Sequence, residues 1–439
     1  MRIRTTGVAA LSLGIAAGLT LAGCGSSSSG TSAGATATAG ASTTAPAASG
    51  SATAQAASGN PLVIWADDQR VAVLKPFAAQ FEQQYGVKVS LRAFNVSDLQ
   101  SDFVTASAHG SGPDIVVLAN DAIGNLVQNG AIAPVQLTSA QQAAFEPTAI
   151  KAMTYDGQVY GVPYAIENIA LIRNTSLAPT APTTIDQLVS EGKQLKSQGK
   201  VKNALCLQSG TAGDAYHIFP FYTAGGGQLF GTTAAGDPDP KQVLVGSSSS
   251  VSAWAKLRAL GSKGSGALTT AINSNNAIPA FTSKACAFLI SGPWAMDAIK
   301  AAHIKYDISN IPAFSSSQPA RPFLGVQAFF VAAKGKNVTL AQQFVTTYVT
   351  KPSVQEALYQ VGARPEALIA ALDASKQSDP DIAKWEEAGA DGEPMPDIPA
   401  MAQVWVPFGN AEVAVINGTD PATAAKAAAT AIEKAIASS

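Results

Sequence analysis

Charge is scarce in this chain. Only 13% of its 439 residues are charged, with 28 Lys and Arg against 30 Asp and Glu, for a formal net charge of −2. That balance argues against a nucleic-acid partner, because proteins that neutralise phosphates carry a basic excess. Three cysteines are too few for a disulfide-built scaffold. The histidines His109, His217 and His303 are scattered without metal-ligand spacing and read as surface or packing residues. There is no complete P-loop, no GxGxxG, no HExxH and no GxSxG nucleophile elbow. These absences lower the expectation of an enzyme and leave no cofactor or metal to be expected.

What is present begins with an export signal. Arg2 and Arg4 precede an apolar run from Val8 to Ala22, too short and too rich in small residues to serve as a membrane span. The run ends Leu21-Ala22-Gly23-Cys24, which resembles the bacterial lipobox. There, small residues admit the peptidase and the cysteine sulfur takes a diacylglycerol. Cys24 is therefore the expected lipidation site, and acyl chains contribute about 0.8 kcal/mol per buried CH₂ to membrane anchoring. Residues 25–59 are almost wholly Ser, Thr, Ala and Gly. Such a segment cannot bury enough surface to offset its ordering entropy. It reads as a tether with a reach on the order of 30–35 Å by coil scaling.

The pattern changes at Pro61. Leu62-Val63-Ile64-Trp65 is a short apolar run suited to a buried strand, and Leu74, Phe77 and Phe81 follow at helical spacing. Val87, Val89 and Leu91 alternate as a second strand, and Asp114 to Leu118 form a third. Strand–helix alternation implies a parallel α/β sheet with helices on both faces. The alternation restarts at Ala204 to Leu207 and Ala285 to Ile290, with helical patterns at Ser252 to Leu260, Leu340 to Thr350 and Ala422 to Ala437. Two α/β lobes suit this length, with a ligand cleft beyond the carboxyl ends of their strands.

From residue 61 onward the chain resembles the maltose/maltodextrin-binding proteins of bacterial ABC importers. Several ordered segments carry the resemblance: Leu62 to Trp65 with the loop after it, Gly112-Pro113-Asp114-Ile115 with Ala119-Asn120-Asp121 and Gly124, and Tyr160 to Asn168. Further on come Ser291-Gly292-Pro293-Trp294-Ala295, Phe323 to Val326, and Met395 to Met401 ending at Trp405. The resemblance implies an α/β fold of the two-lobed periplasmic-binding-protein type II class, a hinged interlobe cleft and no catalysis. Its expected divisions are a signal peptide over 1–23 and a lipidated tether over 24–59. An N-terminal lobe takes 60–166 and 328–371, and a C-terminal lobe takes 170–323 and 376–439.

A sugar suits the residues so placed. Its CH-rich ring faces stack on flat aromatics, and its hydroxyl groups donate to carboxylates in charge-assisted bonds. The resemblance assigns Trp294 and Trp405 as stacking platforms and Tyr216 as a third, with Asp214 as the adjacent acceptor. Tyr164 lies on the first crossover, where it can stack or bond. Glu167 sits there too, inside an apolar run where an unpartnered carboxylate would be costly. A ligand hydroxyl satisfies it, or a salt bridge with a residue such as Arg173. Asp68 and Arg70 follow the first strand where the family has an acid and a base on the sugar. The loop is shorter here, which leaves open whether Asp67 or Asp68 faces the ligand. Asp121 is the acceptor in the third-strand loop, although Leu118 and Ala122 stand where the family has a tryptophan and an arginine. Gln327, just past the second crossover, can point into the cleft.

The expected partners are an oligosaccharide, the permease subunits of an ABC importer and, through the anchor, the outer face of the cell membrane. The protein itself is expected to be a monomer. Trehalose or another sugar, a polyamine, and a surface glycosidase using Asp68, Glu167 or Asp214 are the competing readings, with a purely structural surface lipoprotein further behind. Cys206 and Cys286 are either a disulfide or two buried thiols.

Overall fold

In the computed structural model, residues 59–439 are described. The signal segment, Cys24 and the tether up to residue 58 lie outside the described residues. The first strand, β1 (Leu62–Asp67), is apolar almost throughout and buried on both faces. It pairs in parallel with β2 (Val89–Phe94) and with β3 (Ile115–Ala119). Between β1 and β2 runs helix α1 (Asp68–Tyr85). Asp67 caps it by accepting from the backbone N–H of Arg70 at 2.9 Å, and Gly86 ends it with a left-handed φ of 69°. Leu74, Phe77 and Phe81 turn inward from this helix, as their spacing predicts.

The sheet also takes in β4 (Gly161–Glu167), a strand from much later in the chain, Phe323–Ala332, and two two-residue strands paired with that late strand, Ile132–Ala133 and Glu393–Pro394. That late strand lies between β3 and β4 and runs antiparallel to both. The sheet is therefore mixed, where the alternation of elements predicts a parallel one. The reason is the chain path: the late strand returns from the other lobe and enters from the opposite end.

A second sheet is built from β5 (Ala170–Asn174), β6 (Cys206–Leu207), β7 (Phe288–Ser291) and β8 (Tyr306–Ser309), in the order β8-β5-β7-β6. Its side chains alternate between two apolar cores. Leu171, Phe288 and Ile290 join Tyr222, Trp254 and Phe408 on one face, while Ile172 and Leu289 join Phe281, Met296 and Trp385 on the other. The first sheet has its own core around Phe81, Phe103, Phe145, Phe329 and Phe330. The late strand, β9 (Phe323–Ala332), begins in the core of the second lobe at Phe323 and ends in that of the first at Val331. It crosses beside β4, with Gly325 opposite Glu167 and Val326 opposite Ile166. Two antiparallel strands thus carry the chain between the lobes, and the two-lobed α/β architecture follows.

Cys206 and Cys286 are joined in a disulfide with their Cα atoms 5.9 Å apart. It ties β6 to the chain entering β7 across a sequence separation of 80 residues. Replacing both cysteines with alanine is expected to lower the unfolding free energy by about 2–4 kcal/mol, mainly by freeing the unfolded chain. Urea midpoints of the oxidised protein and the double variant check this, and coincident midpoints would refute it.

Candidate functional site

The first lobe contributes a chain of buried polar side chains. Asp67 and Arg70 stand at the N-terminus of α1, and Arg70 bonds the Asp67 carboxylate through Nη1. Its Nε donates to the Tyr164 hydroxyl at 3.1 Å, and its Nη2 donates to Oε1 of Gln327 on β9. Gln327 passes the link on, its Nε2 donating to Oε1 of Glu167 at 2.6 Å. The other Glu167 oxygen accepts from Nε of Arg364 at 2.5 Å. Arg70, Gln327, Glu167 and Arg364 are all buried, so each charge meets an opposite one where water cannot screen it. Burial works against the Arg70 charge. Tyr164, Asp67 and Glu167 outweigh it and raise the Arg70 pKa above its ordinary value.

The second lobe contributes aromatics. Trp294 lies in the tight turn after β7, and a Cβ on Gly292 would overlap its ring, so only glycine permits this fold-back. Tyr216 is in the first turn of α2 (Ala215–Ala224), which Asp214 caps by accepting from the His217 N–H at 3.0 Å. Trp405 opens α3 (Trp405–Ile416). The Tyr216 ring lies 6.4 Å from Trp294 and 6.1 Å from Phe323, and Phe323 lies 5.9 Å from Trp405, so the rings form a continuous wall. The Tyr216 hydroxyl and Nε2 of His217 are buried with no hydrogen-bond partner among the described residues.

Contacts between the lobes close the site at one end. Nε1 of Trp405 donates to Asp121 at 3.2 Å, and Asn120 donates to the Met395 carbonyl at 3.0 Å while accepting from the Val326 N–H. Gly124 faces the backbone of residues 397–399 so closely that a Cβ would overlap it. At the other end the Arg364 guanidinium carbon stands 5.5 Å from the Trp294 ring centroid.

Burial pushes the Asp121 carboxyl up to about 6, against the opposing pull of Trp405 and Arg70. Burial would raise Asp214 too, but His217 beside it and hydrogen bonds from His217 and Gln208 hold it below the usual carboxylate value. Behind Asp214 lies Glu412, fully buried, with Oε2 accepting from the Asp214 N–H at 2.5 Å. Burial pushes its carboxyl up to about 8. Among the described residues no group of three or more His, Cys, Asp or Glu could hold a metal ion.

Arg70, Tyr164 and Glu167 therefore meet in one network, Asp121 meets Trp405, and Tyr216 and Trp294 share one wall beside Asp214. Asp68 stands apart: it is exposed on the first turn of α1, because the cap geometry turns Asp67 inward in its place. Glu167 does form a salt bridge, but with Arg364. Arg173 instead pairs with Asp307 at 2.9 Å and donates to the Ala178 carbonyl. Leu118 and Ala122 are buried in the first core. His109 and His303 are exposed. Sequence reasoning missed Arg364, Glu412 and the inward role of His217. Nothing local marks Arg364 except its place before a proline that follows a helix.

A family model described as bacterial extracellular solute-binding protein matches residues 77–389. A galactooligosaccharide-binding protein of Bacillus subtilis (strain 168) is 27% identical over 391 residues, covering 85% of this chain and 89% of the relative. A maltooligosaccharide ABC transporter solute-binding lipoprotein of Streptococcus pneumoniae (strain ATCC BAA-255 / R6) is 24% identical over 384 residues, covering 85% and 88%. A maltotriose-binding protein of Pyrococcus abyssi is 26% identical over 316 residues, covering 70% and 66%. Each of the three is named for binding a solute, and the second is named as part of an ABC transporter. Among the described residues no helix is long and apolar enough to cross a membrane.

Proposed function

Because this chain belongs to the bacterial extracellular solute-binding proteins, we propose that it captures a neutral oligosaccharide between its lobes and presents it to an ABC importer. The observation that carries this reading is the meeting of an aromatic wall, Trp294, Tyr216, Phe323 and Trp405, with carboxylates that already have partners. Asp67 pairs with Arg70 and Glu167 with Arg364, Glu167 also accepts from the Gln327 amide, and Asp214 is met by hydrogen bonds with His217 and Gln208. A polyamine would need uncompensated carboxylates, and the site offers few. A polyhydroxylated ring needs flat apolar faces and dipolar partners, and it finds both.

The same pairing speaks against a glycosidase. Glu167 is engaged on both oxygens and Asp68 faces solvent, so neither stands as a general acid beside a nucleophile. The lobes, 60–166 with 328–371 and 170–323 with 376–439, close by bending at the paired strands β4 and β9. Ligand bridging both lobes gives the closed state contacts that the open state lacks, which drives closure. Maltodextrin is the favoured sugar, in keeping with the relatives named for maltooligosaccharide and maltotriose. Cys24 carries the lipid anchor, and the protein acts as a monomer on the outer face of the membrane.

Calorimetry with maltotriose, trehalose, a galactooligosaccharide and spermidine tests the reading. Heat with maltotriose is expected, and heat with spermidine alone would overturn it. Trp294→Ala is expected to weaken sugar binding roughly a hundredfold, the loss of one buried aromatic platform at about 2–3 kcal/mol. Unchanged affinity in that variant would remove Trp294 from the site.

A further inference from the structure

Arg364 reaches the cleft by an unusual backbone route. It follows Ala363, the left-handed residue that ends α-helix Pro352–Gly362 with φ of 53°. A residue with a Cβ holds that conformation only where its surroundings enforce it. Pro365 then biases Arg364 away from the helical region. The turn so formed sends the guanidinium to Glu167 on one side and over the Trp294 ring on the other.

The two buried cations of the site differ in what they have left to give. Arg70 uses Nε on Tyr164, Nη1 on Asp67 and Nη2 on Gln327. Arg364 commits Nε to Glu167, and its Nη2 stands 3.5 Å from Oε1 of Gln69. Its Nη1 makes no hydrogen bond among the described residues.

We propose that Arg364 is a specificity-determining residue of this site, donating to hydroxyl groups of a sugar unit bound beside Trp294. The inference rests on the oligosaccharide reading above. A pyranose presents its hydroxyl groups around its ring edge. A planar guanidinium anchored on Glu167 and 5.5 Å from the Trp294 ring centroid can donate to two of them at once through its remaining N–H groups, in a geometry the single point charge of lysine does not reproduce. Inverting one hydroxyl from equatorial to axial moves an acceptor out of the plane of that fork. A site built to bond a hydroxyl discriminates far more strongly than an apolar pocket does. Arg364 thus separates gluco- from galacto-configured oligosaccharides, while Trp294 supplies affinity to both.

The test is calorimetry of the wild-type protein, Arg364→Lys and Arg364→Met with maltose and its epimer α-D-galactopyranosyl-(1→4)-D-glucose, which share one linkage and differ only in the free C4 hydroxyl of the non-reducing unit. Arg364→Met is expected to weaken the preferred sugar at least tenfold and to narrow the ratio between the two sugars at least tenfold. Arg364→Lys keeps the charge opposite Glu167 and therefore the fold. It is expected to restore part of the affinity but not the ratio. Equal loss for both sugars in the lysine variant, or no loss, overturns the inference by showing a structural role. Failure of the wild-type protein to bind either sugar overturns the oligosaccharide reading, and this inference with it.

Discussion

Glu167→Ala is expected to lower the unfolding free energy of the ligand-free protein by about 3–5 kcal/mol, the range for removing one partner of a buried ion pair. The carboxylate holds Arg364 through one oxygen and Gln327 through the other. Alanine leaves a buried guanidinium without its counter-charge and a buried amide without its acceptor, and desolvation of both is then uncompensated. The stress passes along the chain, since Gln327 also accepts from Arg70. Glu167→Gln keeps the shape and removes the charge, so a smaller loss is expected. Adding Arg364→Met to Glu167→Gln removes both charges and should recover much of what either change loses alone, as in a coupled pair. Urea denaturation of the two single variants and the double variant gives the cycle. Strict additivity would show that the two side chains do not interact in the folded protein. Under the proposed function, sugar binding should also fall in every variant, because the network would supply the polar half of the proposed cleft.

Elements were more legible in the sequence than partners were. β1, β3 and β7 are runs of apolar side chains that only a doubly covered strand can bury, so composition suffices to place them. Trp294 is likewise marked locally, because its turn needs Gly292 beneath the ring. The polar network is different in kind. Gln327 and Glu167 are 160 residues apart, Arg364 and Glu167 are 197 apart, and Arg70 and Gln327 are 257 apart. Their meeting depends on β9 lying between β3 and β4 in one particular register, and no local pattern states that register. The antiparallel sense of β9 was hidden for the same reason. Asp67 and Asp68 show the limit at its finest: both are acids after one strand, and only the cap geometry of α1 turns one inward and the other to solvent. The sequence leaves Cys206 and Cys286 open between a disulfide and two buried thiols, because deciding for the disulfide requires the strand order of the second sheet.

Buried charge also makes the stability of the second lobe depend on pH, through a residue that sequence reasoning passed over. Glu412 is fully buried on α3, with one oxygen accepting from the Asp214 N–H. Burial pushes its carboxyl from 4.5 up to about 8, so the folded protein holds a proton there that the unfolded chain releases. Below the unfolded value both states are protonated and the group does not alter stability. As pH rises from about 4.5 to about 8, the unfolded state loses its proton first, and stability falls through that window. Each tenfold difference in proton affinity between the two states corresponds to about 1.4 kcal/mol. The loss across the window is therefore at most roughly 5 kcal/mol, and relaxation of the folded protein around the new charge reduces it. Asp121, raised to about 6, adds a slope of the same sign below that pH, and the lowered Asp214 adds one of opposite sign in acid. Glu412→Gln isolates the first contribution. The amide oxygen can still accept from the Asp214 N–H, and no charge forms at any pH. Near pH 5 the variant should match the wild-type protein closely. By pH 9 it should be the more stable of the two by a few kcal/mol. Urea unfolding at four or five pH values reads the difference, and a difference that does not grow between pH 5 and pH 9 would show that Glu412 ionises freely in the folded state.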